Sequence, residues 1–482
     1  MVGFMKHVIV ALAGAASSAL AVTFTVPSQA HTGSYKYAPV EPAPVGVSFE
    51  FFAFPSYFTN VTATTQCLSN WRDLTGVWPP IRIGGTTQDR AQYDAQTSAY
   101  VVYTVASPAD APASLTFGSS FMTLAAKYAG SVVVGLNRGK NNIQNTIDAA
   151  KVAVSQMSNL LAIELGNEPE YYQRNGQPIA SGTWNPATDA ASQNNWDITV
   201  GAALNKKNII QAGNSNDSPP TWGAAELIAT ENATVKQYVH DYAHHNYPGG
   251  TITSLMSHRG IASNLHVFDA DVAAAQKEGK QYVFGETNSV SGGGAAGVSP
   301  TFGAALWTMD YVVRAAYSNI SRTYFHHGTV GNCQYCFWGR YSMGAPYYGA
   351  YTATAFMADA ASITALDDGS SNYAAYVTFD SAGAPLRALL YNSDYYSGSG
   401  TRSSQSFVLG GLAGSSVRAK RLVGDSAVAR VDQGGKVTFG GQTFTNGDCR
   451  VSGTETFETV TVSGGQATMS LKASEALLVY LQ

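Results

Sequence analysis

Short apolar runs recur along the middle of the chain. Each ends in a polar or glycine-rich turn and is followed by a stretch with apolar residues on one face. The runs cover residues 45–52, 81–83, 132–136, 161–165, 209–212, 239–243, 282–284 and 323–325. Near-continuous apolar runs of this length read as strands buried on both faces. Residues 146–156 and 269–278 instead show helical spacing. Strands that alternate with helices pair in parallel, and eight such units predict a closed (β/α)8 barrel over residues 45–360. An open doubly wound sheet is the alternative. It would need a glycine-rich phosphate loop after the first strand, and the sequence has none there.

Past about Ala360 the helical spacing fades. Runs at 374–378, 387–391, 406–409, 419–422, 437–439, 458–462 and 476–481 are separated by Gly, Ser and Asp turns, which predicts a β-sandwich over residues 361–482. Near the other end, VTFTV at 22–26 alternates like a strand and stops at Pro27. It cannot easily join the barrel. Residues 22–44 are therefore expected to form a strand and connector that pack with the C-terminal sandwich.

Residues 1–21 read differently. Lys6 precedes an apolar stretch over 8–20, and Ala19-Leu20-Ala21 is an A-x-A cleavage site. This predicts a secretory signal peptide, a mature chain from Val22, and an extracellular protein. Four sequons, at Asn60, Asn216, Asn232 and Asn319, agree with that route, although Pro219 follows the second closely. Charged residues are only 12% of the chain and the net charge is −4, with no basic block. Nucleic acid and anionic membrane are therefore not expected partners. The four cysteines, Cys67, Cys333, Cys336 and Cys449, suggest disulfides in an oxidising compartment, with the pairing open.

Two predicted strands run straight into a carboxylate. The fourth continues as LAIELGNEPE, which places Asn167 and Glu168 past its tip, and the seventh continues as YVFGETNSVSGGGA, which ends it on Glu286. A lone loop glutamate means little. Two at the active face of one barrel suggest a site, because an unpaired buried charge is costly. Gly-Asn-Glu-Pro and Gly-Glu-Thr resemble the clan of retaining glycosidases built on (β/α)8 barrels. The Gly-Glu-Thr…Gly-Gly-Gly loop and Arg82-Ile83-Gly84-Gly85-Thr86 narrow the resemblance to glycoside hydrolase family 79, the heparanases and β-glucuronidases. It spans most of the mature chain.

The resemblance implies Glu168 as general acid/base and Glu286 as nucleophile, with Asn167 bonding the sugar 2-hydroxyl. It implies that amides of Gly292 and Gly293 hold the glucuronate carboxylate, as converging N–H groups can. Several relatives carry a Tyr where this chain has Ser291. The loop after strand eight, including Tyr335, could make up that contact. Glu50, Gly85 and Thr86 match positions around the same sugar. His245 and Tyr247 match a His-x-Tyr in which the Tyr donates to the nucleophile. Adjacent histidines on a strand face opposite ways, so His244-His245 and His326-His327 make poor metal pairs, and neither metal nor other cofactor is expected. The function expected is a secreted retaining hydrolase. It would release β-linked glucuronic acid, with or without a 4-O-methyl group, from polysaccharide or proteoglycan glycans. The alternatives are an endo-acting heparanase-like or other same-clan glycosidase, and a non-catalytic carbohydrate-binding cell-wall protein.

Overall fold

A computed structural model describes residues 20–482, so the expected signal sequence lies outside the described residues up to Ala19. Eight parallel strands close a barrel in chain order: β1 (Val45–Glu50), β2 (Ile81–Gly84), β3 (Val132–Leu136), β4 (Leu160–Leu165), β5 (Ile210–Ser215), β6 (Val239–Asn246), β7 (Gln281–Thr287) and β8 (Ile320–His327). Each overlaps an apolar run of the sequence. Helices Ile143–Gln156 and Asp269–Lys277 stand where the spacing put them. The long segment between β2 and β3 carries an extra three-stranded sheet of Ala91–Tyr93, Val101–Val102 and Leu115–Phe117, which the sequence reading did not anticipate. Its strands have only two or three residues each, too few to show a period.

The C-terminal part forms two main sheets and a two-stranded ribbon of Thr443–Phe444 with Val451–Ser452. Val22–Thr25 pairs in parallel with Ser404–Gly410, which pairs on its other side with Gln466–Lys472. The larger sheet is antiparallel and centres on Glu475–Tyr480, flanked by Pro385–Asn392 and Ser416–Gly424. Its residues sort by parity. Ala375, Val377, Leu477 and Val479 face the small sheet, while Tyr376, Leu389, Ala476 and Leu478 join the core shared with the barrel. A strand buried on both faces must be apolar at every position, which accounts for the unbroken ALLVY. Two disulfides form, Cys67–Cys449 and Cys333–Cys336. The first ties a barrel helix to the β-domain, and the second closes a small loop after β8. No helix among the described residues is long and apolar enough to cross a membrane.

A buried ionic cluster also joins the two parts. His258 Nδ1 lies 2.8 Å from Asp310 Oδ2 and its Nε2 lies 2.8 Å from Asp367 Oδ1, while the Tyr376 hydroxyl donates to Asp310 at 2.7 Å. Burial opposes charge on His258, but the two carboxylates outweigh it and raise the imidazole to about 10. This stabilisation is complete below the unfolded value near 6.5 and is lost as pH rises toward about 10. His258→Gln leaves buried Asp310 without its cation and Asp367 with only Arg314, 3.6 Å away, and is expected to cost about 3 kcal/mol. Thermal melts should show the wild-type advantage shrinking between pH 7 and 10. A constant gap would mean that the imidazole is neutral in the fold.

Candidate active site

The carboxylates on β4 and β7 reach the same place by different local devices. Past β4 the chain turns through Gly166 (φ 83°) and Glu168 (φ 52°), a left-handed conformation that a side chain adopts only at a cost. The turn is held from both sides. Asp89 accepts from the Asn167 N–H at 2.8 Å, and Asn214 O accepts from the Glu168 N–H at 2.9 Å. On β7, Phe284 packs outward against Phe268 and Tyr311. In a regular strand Glu286, two residues later, would face outward as well. A bulge at Gly285 breaks the pairing with β6, where His244 pairs with Phe284 but His245 pairs with Glu286, and so turns Glu286 inward. An oxygen of Glu168, an oxygen of Glu286 and a His245 nitrogen then all lie within 4.8 Å of one another.

Their charge states differ. Glu286 Oε2 accepts from Arg82 Nη1 at 2.5 Å and lies 3.5 Å from His326 Nδ1, while Oε1 accepts from the Tyr247 hydroxyl at 2.5 Å. Burial alone would push its carboxyl up, but His326, Arg82 and the tyrosine bond outweigh burial and hold it well below the usual range. Burial drives His245 itself well below the usual imidazole range, so Arg82 and His326 supply the positive charge. Burial moves Glu168 the other way, well above an ordinary carboxylate, and the charges of Glu286 and Glu170 add to the shift. His245 Nδ1 sits 3.1 Å from Glu168 Oε1, which leaves Oε2 free for another partner. The result is one ionised and one protonated carboxyl across a short gap.

Most of the sequence-predicted residues meet in this cleft of about 930 Å³. Its walls include Glu50, Thr86, Glu168, Tyr247, Glu286, Ser291, Gly292, Gly293 and Tyr335. Gly292 and Gly293 have φ of 68° and 91°, and among the described residues neither N–H has a protein acceptor. The Gly293 carbonyl accepts from the Gln334 N–H at 2.7 Å, which joins this turn to the Cys333–Cys336 loop and sets Tyr335 beside it. A Cβ at Gly292 would meet nothing, so the backbone conformation rather than crowding calls for glycine there. Asn167 borders the acid side, and its Oδ1 accepts from Arg82 Nη2 at 2.9 Å.

Three expectations change. Gly85 is buried behind Glu50, and a Cβ there would come within 2.6 Å of Glu50 Oε2, so it supports the wall rather than forming it. Asn216 lines the cleft, where an N-glycan would obstruct it; Asn60 and Asn232 are exposed and Asn319 is half-buried. Of the loop after β8 that was expected to help hold the carboxylate, Tyr335 lines the cleft, whereas the other large aromatics Trp338, Tyr347 and Tyr348 are buried in the core.

The sequence reading missed a polar layer beneath the carboxylates. Arg82 is fully buried and grips Glu164 through Nε (2.8 Å) and Nη2 (2.5 Å) while it holds Glu286, Ser48 and Asn167. His326 spans Ser48 Oγ (2.9 Å) and Glu50 Oε2 (3.1 Å). The available signal was a single polar residue inside an apolar strand, as in Ile81-Arg82-Ile83 and Ile163-Glu164-Leu165.

The chain is similar to several known proteins. A profile of the glycosyl hydrolase family 79 C-terminal beta domain matches residues 373–478. A β-glucuronidase of Aspergillus niger is 30% identical over 413 residues, which cover 75% of this chain and 73% of that protein. A β-glucuronidase of Neurospora crassa is 29% identical over 368 residues, 66% of this chain and 64% of the other. Among solved structures, a 4-O-α-L-rhamnosyl-β-D-glucuronidase from Fusarium oxysporum 12S, in complex with Rha-GlcA, is 52% identical with a TM-score of 0.92 over 95% of this chain and all of that one. A bifunctional glucanase-xylanase shares the fold alone, with a TM-score of 0.62 at 11% identity.

Proposed function

The chain belongs to glycoside hydrolase family 79, and from that premise we propose that it releases β-linked glucuronic acid from glycans with retention of configuration. The observation that carries this reading is the gap of no more than 4.8 Å between carboxylate oxygens of opposite protonation. An inverting enzyme would need ~6.5–9.5 Å to admit a water between its carboxyls. In the first step Glu286 attacks the anomeric carbon and forms an ester. The glycosidic bond breaks, and Glu168 gives its proton to the departing oxygen. Esterification removes the negative charge that helped raise Glu168, so its acidity increases. It can then take a proton from the water that cleaves the ester. Asn167, next to Glu168 and held by Arg82 through its Oδ1, would meet the 2-hydroxyl. The free amides of Gly292 and Gly293, with Tyr335 beside them, suit the C5 carboxylate.

The finer reading concerns O4. On a pyranose, O4 sits next to C5 and across the ring from C1. With C1 at Glu286 and the carboxylate at Gly292–Gly293, the O4 end would lie away from Glu168, and we assign it to the part of the cleft lined by Val105, Asp110 and Thr329. Those residues also line a neighbouring cavity of about 630 Å³ that includes Tyr103 and Tyr341. There is room for a sugar on O4, in keeping with the similarity to the rhamnosyl-glucuronidase. Two disulfides and the sequons at the surface support secretion.

Two experiments test this. The protein should hydrolyse 4-nitrophenyl β-D-glucuronide far faster than the β-D-glucoside, and should release an intact disaccharide from the 4-O-α-L-rhamnosyl glucuronide. Preference for the glucoside would remove the carboxylate role of the glycine turn. Glu168→Ala should slow alkyl glucuronides by about 10²–10⁴-fold and spare activated aryl leaving groups, with azide restoring turnover as the β-glycosyl azide. An equal loss on all leaving groups would assign the proton to another residue.

A further inference from the structure

The loop that follows β8 separates two spaces. Tyr335 is buried and forms part of the cleft wall beside Tyr247, Gly292 and Gly293, while Cys333 and Cys336 on either side of it line the neighbouring cavity of about 630 Å³. The disulfide between those cysteines spans only three positions. A closed loop this short removes little entropy from the unfolded chain, so it adds little to overall stability. What it fixes is the direction of the two residues it encloses.

Both enclosed residues meet the glycine run. The Gln334 N–H donates to Gly293 O at 2.7 Å, and a Cβ on Gly294 would come within 3.0 Å of the Tyr335 nitrogen, so the run lies directly against the loop. The Tyr335 ring packs 6.3 Å from Tyr247 and 6.2 Å from His326, centroid to centroid. The two arms of the loop are held unequally. In the later arm Phe337 and Trp338 are in the core, and the Phe337 N–H donates to His327 Nε2 at 3.0 Å. The earlier arm is exposed at Gly331 and Asn332, where the Asn332 N–H donates to Thr329 O at 3.0 Å and Asn332 Nδ2 to Ala109 O at 3.1 Å. The disulfide ties this exposed arm to the anchored one, next to the buried Tyr57 hydroxyl, which lies 3.4 Å from Cys336 Sγ.

Building on the reading of the glycine turn as the carboxylate site, we propose that the Cys333–Cys336 disulfide is a specificity-determining element. It holds Gln334 and Tyr335 against Gly292–Gly294 in the geometry that selects a C5 carboxylate, and opening it removes the preference for glucuronides over neutral sugars. Of the two disulfides it is also the one a thiol can reach. Cys333 is half-buried and borders the cavity, whereas Cys67 and Cys449 are fully buried. A dithiol attacks as the thiolate, passes through a mixed disulfide and leaves as a cyclic disulfide. Its two electrons and two protons end on Cys333 and Cys336 as two thiols.

The quantity read is the ratio of kcat/KM on 4-nitrophenyl β-D-glucuronide to that on the β-D-glucoside, two substrates that differ only in the carboxylate. A purely structural role would lower both rates together and leave the ratio unchanged. In Cys333→Ser/Cys336→Ser the ratio should fall at least about tenfold, mostly through KM for the glucuronide, as expected when a hydrogen bond to a charged group is misplaced. Wild-type protein treated with dithiothreitol under native conditions should show the same fall and recover on reoxidation. Alkylation and peptide mass spectrometry should place the new thiols at Cys333 and Cys336. If the double variant does not fold, the reduced wild type carries the test. A ratio that stays unchanged once the bond is open, or a bond that the native protein keeps closed against the dithiol, would overturn the proposal while leaving the glucuronidase reading intact. Failure of the untreated wild type to cleave the glucuronide would end both.

Discussion

Glu286→Gln should lose about 10⁴-fold or more in kcat on every glucuronide while still binding the product glucuronic acid. The substitution keeps the shape of the side chain and its contact with Tyr247, so the fold should persist. What disappears is the charge that Arg82 and His326 hold ionised. A neutral amide cannot form the glycosyl ester, and no other carboxylate in the site can replace it. Glu168 stays across the gap but is protonated, and Glu50 is committed to Thr87 and His326. The same variant removes the charge that helps raise Glu168, so titration of Glu168, followed by NMR or difference infrared, should move to lower pH. Substantial turnover by this variant would remove the nucleophile assignment and the retaining mechanism with it.

Arg82→Met is expected to damage both stability and catalysis. All five donors of the buried guanidinium are used, two on Glu164 and one each on Glu286, Ser48 and Asn167. Removing the cation leaves two buried carboxylates facing each other, at a cost of roughly 3–5 kcal/mol. The fold can lower that cost by protonating one of them. Burial already pushes Glu164 above its ordinary value despite Arg82 beside it. Without Arg82 the Glu286 carboxyl also rises, so the acid limb of the kcat/KM profile should shift to higher pH as kcat falls by about 10³-fold. Arg82→Lys should restore only part of either loss, because an ammonium has three donors and no planar fork. An unmoved acid limb would mean that Arg82 serves the fold and not the nucleophile.

Much of this site could be read without coordinates, for reasons specific to each position. Glu168 and Glu286 stood out because each follows an apolar strand at a point where charge is otherwise avoided. Gly292 and Gly293 stood out through the family resemblance and their register to Glu286, and all three glycines of the run adopt positive φ. Arg82 was read only as part of a family motif and His326 only as one of a poor metal pair, and neither was given its role in the site. Their value lies in partners 34 to 278 residues away, and no local pattern encodes a pairing across barrel strands. The short strands around residues 91–117 escaped for the opposite reason, since they are stabilised by the loop they build rather than by a period of their own.

The amino-acid order by itself determined the eight parallel strands and the β-domain, because burial imposes a period and a polarity on every strand that must face a core, while the kind of chemistry came from the family resemblance of the motifs at two strand ends. The direction of Glu286 was decided only in three dimensions. Strand periodicity puts it on the same face as Phe284, and the bulge at Gly285 reverses that once β6 is alongside. Tertiary structure also decided the protonation of the two carboxyls. Charge state and field depend on distances between side chains, and closure of the barrel sets those distances.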